Sequence, residues 1–192
     1  MTRVALFGGS FNPPHVAHQL VGLYVLETQP VDEVWFVPVF EHVFGKPLAP
    51  FEDRIAMCEL AAAALGPRAK VSRAEEELAK RPGFAGSRTL DLIEHLRATH
   101  AIELRLVIGT DILGETPKWH RWDDVVKAAP PIIIGRAGHL PAGITATGVA
   151  MPEISSTEIR AQLAAGHPEA VAALVPASVL WYIAGHNLYA SP

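Results

Sequence analysis

A single cysteine in 192 residues, Cys58, leaves no intramolecular disulfide to staple the chain. A lone thiol inside an apolar, helix-like pattern suits a reducing compartment, so the expected location is the cytoplasm. Cationic side chains are also in deficit: 16 Lys and Arg stand against 20 Asp and Glu, a formal charge of −4. That balance excludes the global positive field of a nucleic-acid binder, while a local cluster of His, Lys and Arg can still hold a small anion. No apolar run approaches about 18 residues, which argues against a membrane-spanning helix. The strand-like pattern begins near Arg3 and leaves no room for a signal peptide. Internal repeats and low-complexity linkers are missing too. Apolar residues, in contrast, make up 49%, enough for a real core, and the expected organisation is one domain over 1–192.

Runs rich in Val and Ile recur at 4–7, 33–37, 70–73, 103–108, 132–134 and 148–151. Several are apolar at consecutive positions, as strands covered on both faces are. Helical patterns alternate with them. Over 51–65 the set Ile55, Cys58, Ala62 and Leu65 keeps one face, and over 87–99 Leu90, Ile93 and Leu96 do so, with Ser87 as the expected N-cap. This alternation predicts an α/β, doubly wound, Rossmann-like parallel sheet with helices on both faces. The Gly- and Pro-rich stretch 136–147 reads as a surface excursion, and helices from about 155 onward are expected to pack on the domain.

The first strand runs into Gly8-Gly9-Ser10-Phe11-Asn12-Pro13-Pro14-His15-Val16-Ala17-His18. Two prolines are barred from a helix interior, so the helix is expected to begin close to His15. His15 and His18 then share one side of its first turn. The free amides and the helix dipole at that point suit a phosphate, and Gly8 and Gly9 let a bulky ligand approach the backbone. The Gly-Lys-Ser/Thr ending of a Walker loop is missing, as are the Gly-x-Gly-x-x-Gly spacing and the flanks of a nucleophile elbow. A zinc site using His15 and His18 with His42 or His120, and a simple Pro-rich turn, remain as alternatives.

A second unusual stretch is Ile154-Ser155-Ser156-Thr157-Glu158-Ile159-Arg160. Ser155 and Glu158 are spaced as a capping box, with Ile159 and Leu163 as the buried stripe. Consecutive hydroxyls with Arg160 one turn on also offer donors to a second phosphate. Between the two stretches, Gly109-Thr110-Asp111 closes an apolar strand, where a carboxylate can hold ribose hydroxyls or cap a turn. Three phosphate- or sugar-friendly sites at strand ends make a nucleotide the economical ligand.

"GGSFNPPHVAH", "IGTDIL" followed by "PKWHRW", "ISSTEIR" and "LVPASVLWYIAGHNLY" occur in this order from Val4 to Tyr189. Together they resemble the bacterial nicotinate-nucleotide adenylyltransferases, of the nucleotidyltransferase superfamily with paired histidines after strand one. The resemblance implies transfer of AMP from ATP to nicotinate mononucleotide, a step of NAD biosynthesis, by direct attack without a covalent enzyme intermediate. It implies that His15 and His18 contact the ATP phosphates, with His18 stabilising the transition-state charge. On the ATP side it further implies Gly8, Gly9, Ser10, Phe11, Gly109, Asp111, Ile154, Ser155 and Thr157, with Arg160 on the outer phosphates. Mg²⁺ is expected, bound mainly through substrate phosphates, with no dedicated protein ligands.

On the acceptor side the resemblance implies Lys46, Gly86, Ser87, Thr89, Trp119 and Arg136, with Trp119 stacking on the nicotinate ring. Two loops depart from the family pattern. "VPVFEHVFGKPLAPFEDR" replaces Pro-Pro-His-Lys, leaving Lys46 for the acceptor phosphate and His42 as the weaker alternative. Phe84-Ala85-Gly86 stands where relatives carry Ser-Tyr-Thr. The expected partners are therefore ATP and a pyridine mononucleotide, not nucleic acid or a membrane, and a homo-oligomer stays open. The competing functions are a related transferase using nicotinamide mononucleotide, phosphopantetheine or CTP, and a non-catalytic nucleotide-binding regulator.

Overall fold

The computed structural model describes residues 1–41, 47–84, 86, 88–136 and 150–190. Its centre is a six-stranded sheet of β1 (Thr2–Gly9), β2 (Glu33–Pro38), β3 (Ala69–Val71), β4 (Ile102–Gly109), β5 (Pro131–Arg136) and β6 (Ala150–Met151). The strand order is β3-β2-β1-β4-β5-β6, and every neighbouring pair is parallel. The chain winds outward from β1 to β3, then crosses back to β4. In such a sheet the crevice beyond the C-terminal ends of the two central strands, β1 and β4, is the natural ligand site.

Alternation along β1 decides what covers each face. Val4 and Leu6 pack under α3 (Ala74–Ala79), α4 (Thr89–Thr99) and α5 (Trp122–Ala128). Ala5 faces the other way, with Val34, Phe36 and Val107, under α1 (Val16–Thr28) and α2 (Phe51–Ala63). Gly22 brings α1 close to the sheet: a Cβ there would stand 2.8 Å from Leu65 and 3.0 Å from the Phe36 ring.

α2 has a second buried side. Met57 and Ala61 pack against Ile159 of α6 (Ser156–Ala164) and Val179 and Ile183 of α7 (Ala177–Gly185). The Tyr182 hydroxyl donates to Asp53 at 2.8 Å, pinning α7 to α2. Among the described residues no helix is long and apolar enough to cross a membrane.

Several boundaries differ from those expected. α2 ends at Ala63, because the chain turns there and Gly66 takes a positive φ of 79°, and Leu65 packs from that turn. The third strand ends at Val71 instead of residue 73; Arg73 is the N-cap of α3 and binds Glu76 at 2.8 Å. α4 starts at Thr89 with Arg88 as its N-cap, so the cap is not Ser87, which lies outside the described residues. Of the stretch 136–147, all but Arg136 lies outside them, as do 148 and 149 of the last expected strand.

Candidate active site

β1 delivers Gly8 and Gly9 to the crevice, and the chain then turns through Phe11, whose φ of 45° is left-handed. Burial holds that costly conformation: Phe11 packs edge-on to Phe7 at 5.5 Å and lies 4.9 Å from the His18 ring. A Cβ on Gly8 would meet nothing within 4 Å, although the residue lines a cavity. The space this glycine leaves open is therefore not claimed by the protein's own packing.

After Pro13 and Pro14, His15 forms the extended N-cap of α1. Its backbone N–H donates to Nδ1 of His18 at 3.0 Å, and the two rings stack with centroids 3.7 Å apart. A ring nitrogen that accepts from an amide carries no proton, so neutral His18 keeps its proton on Nε2. Of the amides expected to be free at the start of α1, that of Val16 is taken: its N–H donates to the Leu174 carbonyl at 2.9 Å.

α6 faces this turn. Ser155 caps it, accepting from Glu158 N–H at 3.4 Å; the reciprocal bond of a full capping box does not form. Ser156 Oγ donates to the Pro13 carbonyl at 3.0 Å. Arg160 Nη1 donates to the carbonyls of Asn12 at 2.7 Å and Ser156 at 3.1 Å, and Nη2 donates to Thr157 Oγ1 at 3.3 Å. Asn12 is the hub of the turn, since its Oδ1 also accepts from Tyr189 Oη at 2.8 Å and Ala49 N–H at 3.0 Å.

These elements enclose a cavity of about 370 Å³ lined by Ser10, Phe11, His15, His18, Ile154, Ser155, Thr157 and Arg160, and also by Glu153. Hydroxyls, two imidazoles and a guanidinium make it a polar anion cradle. A second cavity, about 420 Å³, shares Ser10, His15 and His18 with the first. Gly8, Gly9, Gly109, Asp111, Thr89 and Trp119 line it, with apolar side chains such as Leu92 and Ile112. Thr110 N–H bonds to the Ile134 carbonyl at 2.9 Å, which fixes how the chain leaves β4 before Asp111. Trp119 is braced edge-on by Trp122 at 5.5 Å. The histidine pair therefore stands where a polar cavity meets a largely apolar one.

The acceptor-side residues fare less evenly. Thr89 and Trp119 line the second cavity, and Gly86, at a φ of 103°, lines neither. Phe84 packs against the hydrophobic core that includes Leu90 and Ile93 of α4, and Ala85 lies outside the described residues. Lys46, its alternative His42, and Ser87 lie outside them too; Arg136 ends β5, and its side chain is outside them. Sequence reasoning missed Glu75, a buried carboxylate in the first turn of α3 that lines the second cavity. A run of acidic residues, Glu75-Glu76-Glu77, looks like a solvated surface and hides it. Among the described residues no three His, Cys, Asp or Glu side chains gather as a metal cage.

The fold and the paired-histidine crevice define a nucleotidyltransferase: the sequence pattern of the cytidylyltransferase-like family matches residues 6–162. A probable nicotinate-nucleotide adenylyltransferase from Anaeromyxobacter dehalogenans is 52% identical over 188 residues, covering 97% of this chain and 96% of its own. One from Myxococcus xanthus is 44% identical, covering 97% and 94%. The chain belongs to the nicotinate-nucleotide adenylyltransferase family. Its fold matches the Plasmodium falciparum nicotinic acid mononucleotide adenylyltransferase complexed with APC, with a TM-score of 0.80 over 98% of both chains at 18% identity. The same Plasmodium protein complexed with NaAD gives 0.79.

Proposed function

We propose that the protein transfers AMP from ATP to nicotinate mononucleotide, releasing pyrophosphate and forming deamido-NAD. The observation that carries this reading is the junction of the two cavities at His15 and His18. The polar cavity suits a polyphosphate, and the apolar one, with Trp119 on its wall, suits flat bases and sugars. Family membership at 52% identity over nearly the whole chain supports the same substrates.

The acceptor's phosphate oxygen attacks the α-phosphorus of ATP in line. The new P–O bond forms as the bond to the β-phosphate's bridging oxygen breaks, and that electron pair leaves with pyrophosphate. No nucleophilic side chain is required, so the protein contributes positioning and charge stabilisation. His18 donates its Nε2 proton as a hydrogen bond to the phosphate oxygens gaining charge, and His15 holds that ring in place. Arg160, Ser155 and Thr157 bind the outer phosphates and then the leaving pyrophosphate. Asp111 and the Gly109 backbone meet a ribose, Trp119 stacks on the acceptor ring, and Thr89 borders it.

Mg²⁺ is a further part of the reading. The donor set fits an ion held chiefly by substrate phosphates, because among the described residues the polar cavity has one lining carboxylate, Glu153, and no three His, Cys, Asp or Glu side chains gather as a cage. When bound, the ion neutralises phosphate charge. A pyrophosphate-release assay crossing ATP and CTP with nicotinate mononucleotide, nicotinamide mononucleotide and phosphopantetheine tests the proposal. Turnover is expected with ATP and nicotinate mononucleotide; faster turnover with any other pair would reassign the substrates.

A further inference from the structure

Arg54 is the largest fully buried side chain among the described residues, 1% exposed, yet none of its hydrogen bonds goes to a carboxylate. Its guanidinium donates only to backbone carbonyls: Ala49 at 3.0 Å, Ser10 at 3.1 Å, Val39 at 2.7 Å and Phe40 at 3.3 Å. Those acceptors belong to three separate segments, the turn after β1, the chain after β2 and the entry to α2. Ser10 lines both cavities, and Val39 lines the second. One side chain thus ties together segments that border the phosphate cavity and the neighbouring cavity.

A guanidinium whose bonds all end on neutral carbonyls keeps its full charge. The titratable neighbours do not cancel it: burial pushes both the Cys58 thiol and the Tyr189 phenol well above their ordinary values, so both stay neutral. Burying an arginine merely to join loops is costly, and an apolar side chain could fill the volume. The cost has a use if a polyanion sits beside it, since the Ser10 carbonyl that Arg54 holds belongs to the cavity wall.

We propose that Arg54 is a positioning residue for the ATP triphosphate, setting the turn after β1 by its carbonyl bonds and biasing the adjoining cavity toward anions by its uncompensated charge. The inference rests on the adenylyl-transfer reading above. It differs from the role given to Arg160, because Arg54 reaches the ligand only through Ser10 and through the field.

The test compares Arg54→Lys, which keeps the charge, with Arg54→Gln, which keeps a carbonyl-directed donor without it. Calorimetry with inorganic pyrophosphate and with adenosine, alongside thermal melts, separates charge from simple stapling. Pyrophosphate affinity should stay within about fivefold of wild type in the Lys variant and fall by more than about tenfold in the Gln variant, with adenosine affinity unchanged. Both variants should melt earlier than wild type, so a purely structural role would weaken both alike. Equal pyrophosphate affinity in the Lys and Gln variants overturns the proposal. Should the Gln variant not fold, the Lys variant decides: affinity within about fivefold of wild type supports the role of charge, and a greater loss overturns it. A wild-type protein that binds pyrophosphate but does not turn over nicotinate mononucleotide would sink the substrate assignment and leave Arg54 to be judged on the binding data.

Discussion

The backbone N–H of His15 reaches Nδ1 of His18 over 3.0 Å, and this bond determines which proton the second ring can offer. With Nδ1 occupied as an acceptor, the neutral ring presents Nε2–H, a donor that needs no positive charge. The N-cap of α1 thereby orients the group that meets the phosphates in the proposed reaction.

If that donor stabilises the charge growing on the α-phosphate, His18→Ala should lower kcat by about 10²–10³, the usual effect of removing one such donor. The KM for ATP should change far less. Steady-state kinetics on the folded variant check this, and an unchanged kcat would remove His18 from the mechanism.

In the proposed mechanism Arg160 has two duties that its substitution should expose separately. Its bond to the Asn12 carbonyl at 2.7 Å locks the turn, so Arg160→Ala should cost about 1–3 kcal/mol of stability in denaturant titrations. Its position in the polar cavity means that ATP and pyrophosphate should weaken together while nicotinate mononucleotide does not. Loss of acceptor affinity with ATP affinity intact would reverse the assignment of the two cavities.

Trp119, braced by Trp122, should supply about 1–3 kcal/mol of stacking to the acceptor ring. Trp119→Ala is therefore expected to raise the acceptor KM about tenfold or more, with the ATP KM near its original value. Indifference to this change would place the acceptor elsewhere.

Away from the site, the Arg3 guanidinium, assisted by the Arg3 backbone N–H at 2.8 Å, holds the Asp32 carboxyl down to about 2. A carboxylate whose pKa is lowered by folding stabilises the protein above its unfolded value and loses that effect as pH falls through the folded one. Asp32→Asn should accordingly lower Tm at neutral pH, and the gap should narrow below about pH 4 and nearly close by about pH 2. Melting curves across that range test it.

The parts of the fold that the sequence revealed are those governed by short-range chemistry. Pro13 and Pro14 place the start of α1 whatever surrounds them, and His15 and His18 meet because three residues nearly complete a turn. β1 and β4 were legible because strands covered on both faces need continuous apolar runs. Arg54 was not legible. A charged residue near a helix start reads as solvent-facing, and its burial depends on loops that arrive from β1 and β2. Val16 lost its free amide to Leu174, a partner no local pattern can announce. The second buried side of α2, Met57 and Ala61, likewise gains its meaning only when α6 and α7 dock on it.

The central claim is a direct transfer of AMP between two substrates held on either side of His18. It is tested most directly by running the reaction with one diastereomer of ATP carrying sulfur at the α-phosphorus, together with nicotinate mononucleotide. The account predicts a dinucleotide product whose phosphorus configuration is inverted, with one pyrophosphate released per product. Retained configuration would demand an intermediate on the protein, and absence of any dinucleotide would contradict the assigned reaction itself.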